Sequence, residues 1–141
     1  MSLENVALAR RWFDEVWNQR RGDLIDVLND PESVGHLEGG DVITPQQFRD
    51  HVHGAFLAIF PDLEIIIEDT VSEGENVVVR WCASGTHQGD GFGLKATHRQ
   101  VSFRGMTWMR CRDGRIAEAW DCWNQGGLFD RLRAPTGEVV V

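Results

Sequence analysis

The apolar positions change their period once along the chain, near Pro61. Over residues 3–20, Val6, Ala9, Phe13, Val16 and Trp17 recur at three- and four-residue spacing, which predicts a helix with one buried face. Gly22 interrupts it. A short apolar stretch at 24–29 predicts a second helix that stops before Pro31, and 33–37 reads as a short strand closed by Gly39 and Gly40. Thr44-Pro45-Gln46-Gln47 is a strong helix start. Thr44 can cap, Pro45 suits the first helical position, and Gln47 completes a capping box. That helix should run to about Phe60 with Phe48, Val52, Ala55, Phe56 and Ile59 inward, and Pro61 ends it. Beyond Pro61 apolar and polar residues alternate. Strands are predicted over 63–71, 77–87, 101–111 and 115–124, with a glycine-bearing loop at 89–100 and a last helical turn at 128–132. Helices followed by an antiparallel meander give the α+β class and one domain: a core over about 3–132 and a tail at 133–141.

Asp113-Gly114 is the strongest hairpin signal in the chain, and it gives Asp121 an address. With a two-residue turn, Arg112 faces Arg115, and counting outward sets Met106 opposite Asp121. One face then holds Arg104, Met106, Trp108, Ala117, Ala119, Asp121 and Trp123; the other holds Phe103, Gly105, Thr107, Met109, Glu118, Trp120 and Cys122. A shift of one residue would exchange one strand's set. Aspartate is depleted in strands, and a buried carboxylate is expensive without a partner. Three readings of Asp121 stay open from the residues alone. It is a carboxylate in an apolar pocket with a raised pKa, fit to move a proton. Or it is the ion-pair partner of Arg104, its diagonal neighbour. Or it is neither.

Composition narrows the partners. The net charge is −8, which argues against nucleic acid and anionic membrane. The charge is uneven: residues 1–76 carry a balance of −11 and residues 77–141 one of +3, which fits acidic helices beside an arginine-bearing sheet. Cys82, Cys111 and Cys122 are odd in number and lack CxxC spacing, so reduced thiols in a cytoplasmic protein fit better than disulfides. No apolar run reaches the ~20 residues of a membrane span, and the charged first 20 residues do not read as a signal peptide.

The stretch FRGMTWMRCRDGRIAEAWDCWNQGGLFDRL, with FPDLEIIIEDTV and GTHQGDGFG before it, resembles the SnoaL-like polyketide cyclases, often labelled ester cyclases, of the nuclear-transport-factor-2-like superfamily. The resemblance implies a cone in which helices cover a curved antiparallel sheet and enclose an apolar cavity. It implies an intramolecular aldol cyclisation without cofactor or metal, with an aspartate as general acid/base, and Asp121 is the matching residue. It also implies a homodimer through the outer sheet face. The chain departs from the pattern at Ala119, Met106 and Trp108, where the cyclases carry a histidine and polar groups.

Other candidates are weaker. His36, His51 and His87, with Trp12, Arg104, Met106, Trp108 and Trp123, are candidate ligand contacts. His51-x-His53 cannot share a metal ion on a helix, where positions two apart lie about 200° around the axis. The loop at 89–93 lacks the phosphate-loop pattern and is either a pocket lid or an ordinary connection. The absence of Tyr excludes a ketosteroid-isomerase-like oxyanion hole and tyrosine-based dehydration. The leading reading is an enzyme that acts on a small apolar carbonyl compound by cyclisation or isomerisation. The alternatives are a non-catalytic binder of such a ligand and a dimeric interaction module.

Overall fold

The computed structural model describes residues 2–134, so most of the tail expected at 133–141 lies outside the described residues. The chain opens with α1 (Ser2–Arg11), which continues into a wider π-type turn over Trp12–Asn18. A 3-10 turn (Gly22–Leu24) leads into α2 (Ile25–Leu28). The strands β1 (Asn29–His36) and β2 (Val42–Ile43) follow. The second helical arm is α3 (Pro45–Phe48), a π-type segment (Arg49–His53) and α4 (Gly54–Ile59). The expected capping box is present, with Thr44 and Gln47 each accepting from the other's backbone N–H. The long strands are β3 (Glu64–Glu73), β4 (Asn76–Thr86), β5 (Gln100–Arg112) and β6 (Arg115–Trp123), and α5 (Gln125–Arg133) closes the fold.

The six strands form one open, curved sheet in the order β2-β1-β6-β5-β4-β3. All neighbours are antiparallel except β1 and β6, which run parallel; β2, the second helical arm and strands β3, β4 and β5 lie between them in sequence. Irregularities at Asn29/Val34, Ile67/Asp69 and Arg110/Cys111 bend the sheet. One cluster of buried apolar side chains, from Leu8 to Leu132, joins the helices to the inner sheet face. Val77, Val79, Trp81 and Ala83 of β4 point into it alternately, as the period-2 pattern requires. All three cysteines are free. Among the described residues no helix is long and apolar enough to cross a membrane.

The hairpin register differs from the simple count. Asp113 and Gly114 form the turn with positive φ at both positions (52° and 77°), and Arg112 faces Arg115 as expected. A bulge then places Ala117 as an extra residue, so Arg110 faces Glu118 and Thr107 faces Asp121. The inner face of β5 and β6 is therefore Phe103, Gly105, Thr107 and Met109 with Ala119, Asp121 and Trp123. Arg104, Met106 and Trp108 move to the outer face with Glu118, Trp120 and Cys122. The arginines explain the outcome: Arg104 and Arg110 share one face of β5, and that face is the solvated one.

Candidate functional site

Between the helices and the inner sheet face lies a pocket of about 250 Å³. Trp12, Phe13 and Trp17 line it from the first helical arm, and Phe48, Val52 and Phe56 from the second. Trp81, Phe103 and Trp123 form its sheet wall. The helical spacing of the apolar residues in each arm turns those rings toward the sheet. A side chamber of about 40 Å³ lies beyond it, bordered by Asn29, Ser33, Met109 and Ala119. Trp12, Phe48, Thr107 and Asp121 border both spaces.

Asp121 is the one charged residue on the sheet wall of the pocket. The Thr107 hydroxyl donates to its Oδ1 at 2.7 Å. The Trp81 indole N–H in turn donates to Thr107 Oγ1 at 3.0 Å. Both donors are buried. Trp81 can lie there because position 105 is glycine. A Cβ on Gly105 would sit 2.6 Å from Trp81 Cζ2 and 2.5 Å from Trp123 Cβ. Asp121 Oδ2 has no hydrogen-bond partner among the described residues and is not sealed in protein. Burial raises the Asp121 pKa to about 6, the Thr107 hydrogen bond pulls it back, and the Glu38 carboxylate adds to the rise. Glu38 stands at the mouth, where it accepts the Trp123 backbone N–H at 2.9 Å.

The other sequence candidates separate into two groups. Trp12 and Trp123 line the pocket with Asp121. Arg104, Met106 and Trp108 do not; they stand exposed on the outer sheet face, because the bulge reverses the register there. The ion pair of Asp121 with Arg104 is ruled out by the same geometry, since the two side chains point to opposite sides of the sheet. His36 is also outside. It stacks on Trp120 with ring centroids 5.2 Å apart and bonds Glu118 at 2.7 Å. Glu118 holds Arg110 with its other oxygen. His51 is exposed on the π-type segment and does not border the pocket.

His87 is fully buried and works on the loop instead. Its Nδ1 accepts the Thr97 backbone N–H at 3.0 Å, which leaves Nε2 to donate to the Gly91 carbonyl at 3.3 Å. The loop packs through Phe92 against Phe56, Phe60 and Phe129, and none of its residues borders the pocket, so it is a connection and not a lid.

The count along the hairpin missed Thr107, Trp81 and Glu38. Thr107 was hidden by the bulge, and the arginine alternation on β5 was the available signal. Trp81 and Glu38 carried no local signal, since their roles depend on Gly105 and on the parallel docking of β1. Among the described residues, no three His, Cys, Asp or Glu side chains come together to hold a metal ion.

The sequence pattern of the SnoaL-like polyketide cyclases matches residues 7–132. The chain belongs to this family. No functionally curated protein matches it. Solved structures do. AclR, a candidate hydroxylase from Streptomyces galilaeus, superposes with a TM-score of 0.86 at 26% identity, over 96% of this chain and 87% of that one. A SnoaL-like polyketide cyclase candidate from Jannaschia sp. CCS1 gives 0.87 at 22% identity, over 96% and 95%. IdmH, a polyketide cyclase candidate from Streptomyces antibioticus, gives 0.83 at 24% identity, over 92% and 99%. This SnoaL-like chain thus shares the α+β fold of its family over nearly its whole length.

Proposed function

We propose that this SnoaL-like protein is a cofactor-independent acid/base enzyme of the cyclase or isomerase type, acting on a small, mostly apolar carbonyl compound. One observation carries the reading: the Asp121 carboxylate stands on the sheet wall of an aromatic pocket, with one oxygen held and the other open. Trp81 occupies a lone pair of Thr107, so the Thr107 proton goes to Asp121 Oδ1. Oδ2 is then the atom that takes and returns protons. It would remove a proton from a carbon beside a carbonyl, and the electron pair would pass to the carbonyl oxygen as an enolate. In a cyclisation, the enolate carbon attacks a second carbonyl and Oδ2 returns the proton to the new alkoxide. In an isomerisation, it returns the proton to a different carbon. A pKa of about 6 suits both directions near neutral pH. Trp12, Trp17 and Trp123 line the pocket, and an indole N–H turned toward the enolate oxygen would be a neutral donor to it.

A homodimer through the outer sheet face belongs to the same proposal. Met106 and Trp108 are 51% and 49% exposed there, beside Trp120, and large exposed apolar side chains in one patch call for a partner.

The test has two parts. A carboxyl-detected NMR titration, assigned with Asp121→Asn, should give a midpoint near 6, and a midpoint at or below the ~3.9 reference would remove the acid/base role. Small 1,3-dicarbonyl compounds in deuterated buffer should then exchange their acidic C–H faster with wild type. Asp121→Asn should lose roughly 10²–10⁴-fold of that rate.

A further inference from the structure

The charge of the pocket points to a ligand class. Four tryptophans and four phenylalanines line it, and its charged lining residues are Glu38, Asp41 and Asp121. Among the described residues, no Lys, Arg or His borders it or the side chamber. The remaining polar lining, Thr107, Gln125 and the indole N–H groups, is neutral. The N-terminus of α5 at Gln125 brings a positive end to the lining, worth roughly half an elementary charge, and the Asn124 side chain already accepts the Gly127 N–H there. Two full negative charges at the mouth outweigh it. Low-dielectric walls focus that field inward, and aromatic faces attract cations further.

We propose that the pocket selects a cationic ligand, an apolar carbonyl compound carrying an amine or quaternary ammonium that sits among the aromatic rings within reach of Asp121. The carbonyl half of this statement rests on the acid/base reading above; the charge preference rests on the pocket alone. The preference also answers a need of the chemistry. When Asp121 takes a proton, its negative charge passes to the substrate as an enolate. The lining offers that enolate only neutral donors, so a cation on the substrate itself would balance it. An anionic substrate would meet three carboxylates and no counter-charge.

Three probes of one size separate the outcomes. Benzyltrimethylammonium carries the charge, its neutral carbon isostere neopentylbenzene lacks it, and 3-phenylpropanoate reverses it. Binding to the intact protein is read by tryptophan fluorescence and by the rise in melting temperature. At pH 7.5 the cation should bind at least tenfold more tightly than the neutral isostere, and the anion should bind weakest. The cation's advantage should shrink as pH falls through about 6, where Asp121 takes up its proton; among the described residues, Glu38 and Asp41 are the only other titratable lining groups. Glu38→Gln and Asp121→Asn should each reduce the ratio of cation to neutral-isostere affinity. Equal binding of cation and neutral isostere overturns the charge preference and leaves the apolar pocket standing. Tighter binding of the anion overturns it as well. No binding of any probe overturns both this proposal and the pocket's role as a ligand site, whereas the Asp121 titration judges the acid/base reading separately.

Discussion

The Thr107 hydroxyl has one proton to give, and Trp81 Nε1 already occupies one of its lone pairs, so the bond to Asp121 Oδ1 has a fixed direction. Thr107→Val keeps the shape and removes both bonds. It should raise the Asp121 pKa above about 6, because the hydrogen bond favours the ionised form. It should also cost roughly 1–3 kcal/mol of stability by orphaning the buried indole N–H. Thr107→Ser should restore the titration, which a merely steric role would not. Asp121 itself makes a pH-dependent prediction. Its folded pKa of about 6 lies above the unfolded value near 3.9. The stability that neutral Asp121 contributes is therefore fully present below pH ~3.9 and is lost as pH rises through about 6. Asp121→Asn should be more stable than wild type by on the order of 2 kcal/mol at pH 8, with the difference gone below pH ~4, as measured by denaturant unfolding across pH. A variant less stable than wild type at pH 8 would show that the carboxylate is favourably solvated in the folded protein.

At the scale of elements, the β5–β6 hairpin sets the site, and Gly105 is its most constrained point. Gly105→Ala would drive a methyl group against Trp81 Cζ2, Trp123 Cβ and the Cys122 carbonyl, all within 3 Å. It should destabilise the protein by about 1–3 kcal/mol and shift the Asp121 titration with it, because Trp81 must move to relieve the overlap. An unchanged titration would uncouple Trp81 from the carboxylate. The same hairpin shows what the sequence makes legible. The turn at Asp113-Gly114, the capping box at Thr44 and the strand periods are local signals, and each element lies close to where the pattern predicts it. Asp121 stood out because aspartate is out of place in a strand. The bulge at Ala117 has no such mark, yet it reverses every side chain beyond it. That single residue moved Met106, Trp108 and Arg104 out of the site and brought Thr107 in. His51 and His87 are candidates because each shares an apolar face of its element, and His36 because of the family resemblance; their settings depend on the β1–β6 docking, the second helical arm and the loop, which no local pattern encodes.

For the whole molecule, the two faces of the sheet have opposite problems. The inner face leaves space that the helices do not fill, and the outer face leaves apolar side chains that nothing among the described residues covers. Ile66, Val71, Met106, Trp108 and Trp120 are exposed there on β3, β5 and β6. Trp108 pairs with Trp120 across the strands, with ring centroids 5.9 Å apart, and is further held by its indole bond to Asn76. His36 and Arg110 clamp Glu118 beside them. The patch is thus rigid before any partner arrives, and rigid aromatic anchors lose little entropy on association. In the proposed dimer each copy would lay this face on the other, since an isologous contact uses the same patch twice. Light scattering at micromolar concentration should then give twice the chain mass. Trp108→Arg should weaken the dimer by roughly 30-fold or more, the loss expected of a central aromatic anchor. The Asp121 titration should stay in place in that variant, because residue 108 faces away from the pocket. A monomeric wild type would overturn the dimer. A dimer indifferent to Trp108→Arg would move the interface off this face.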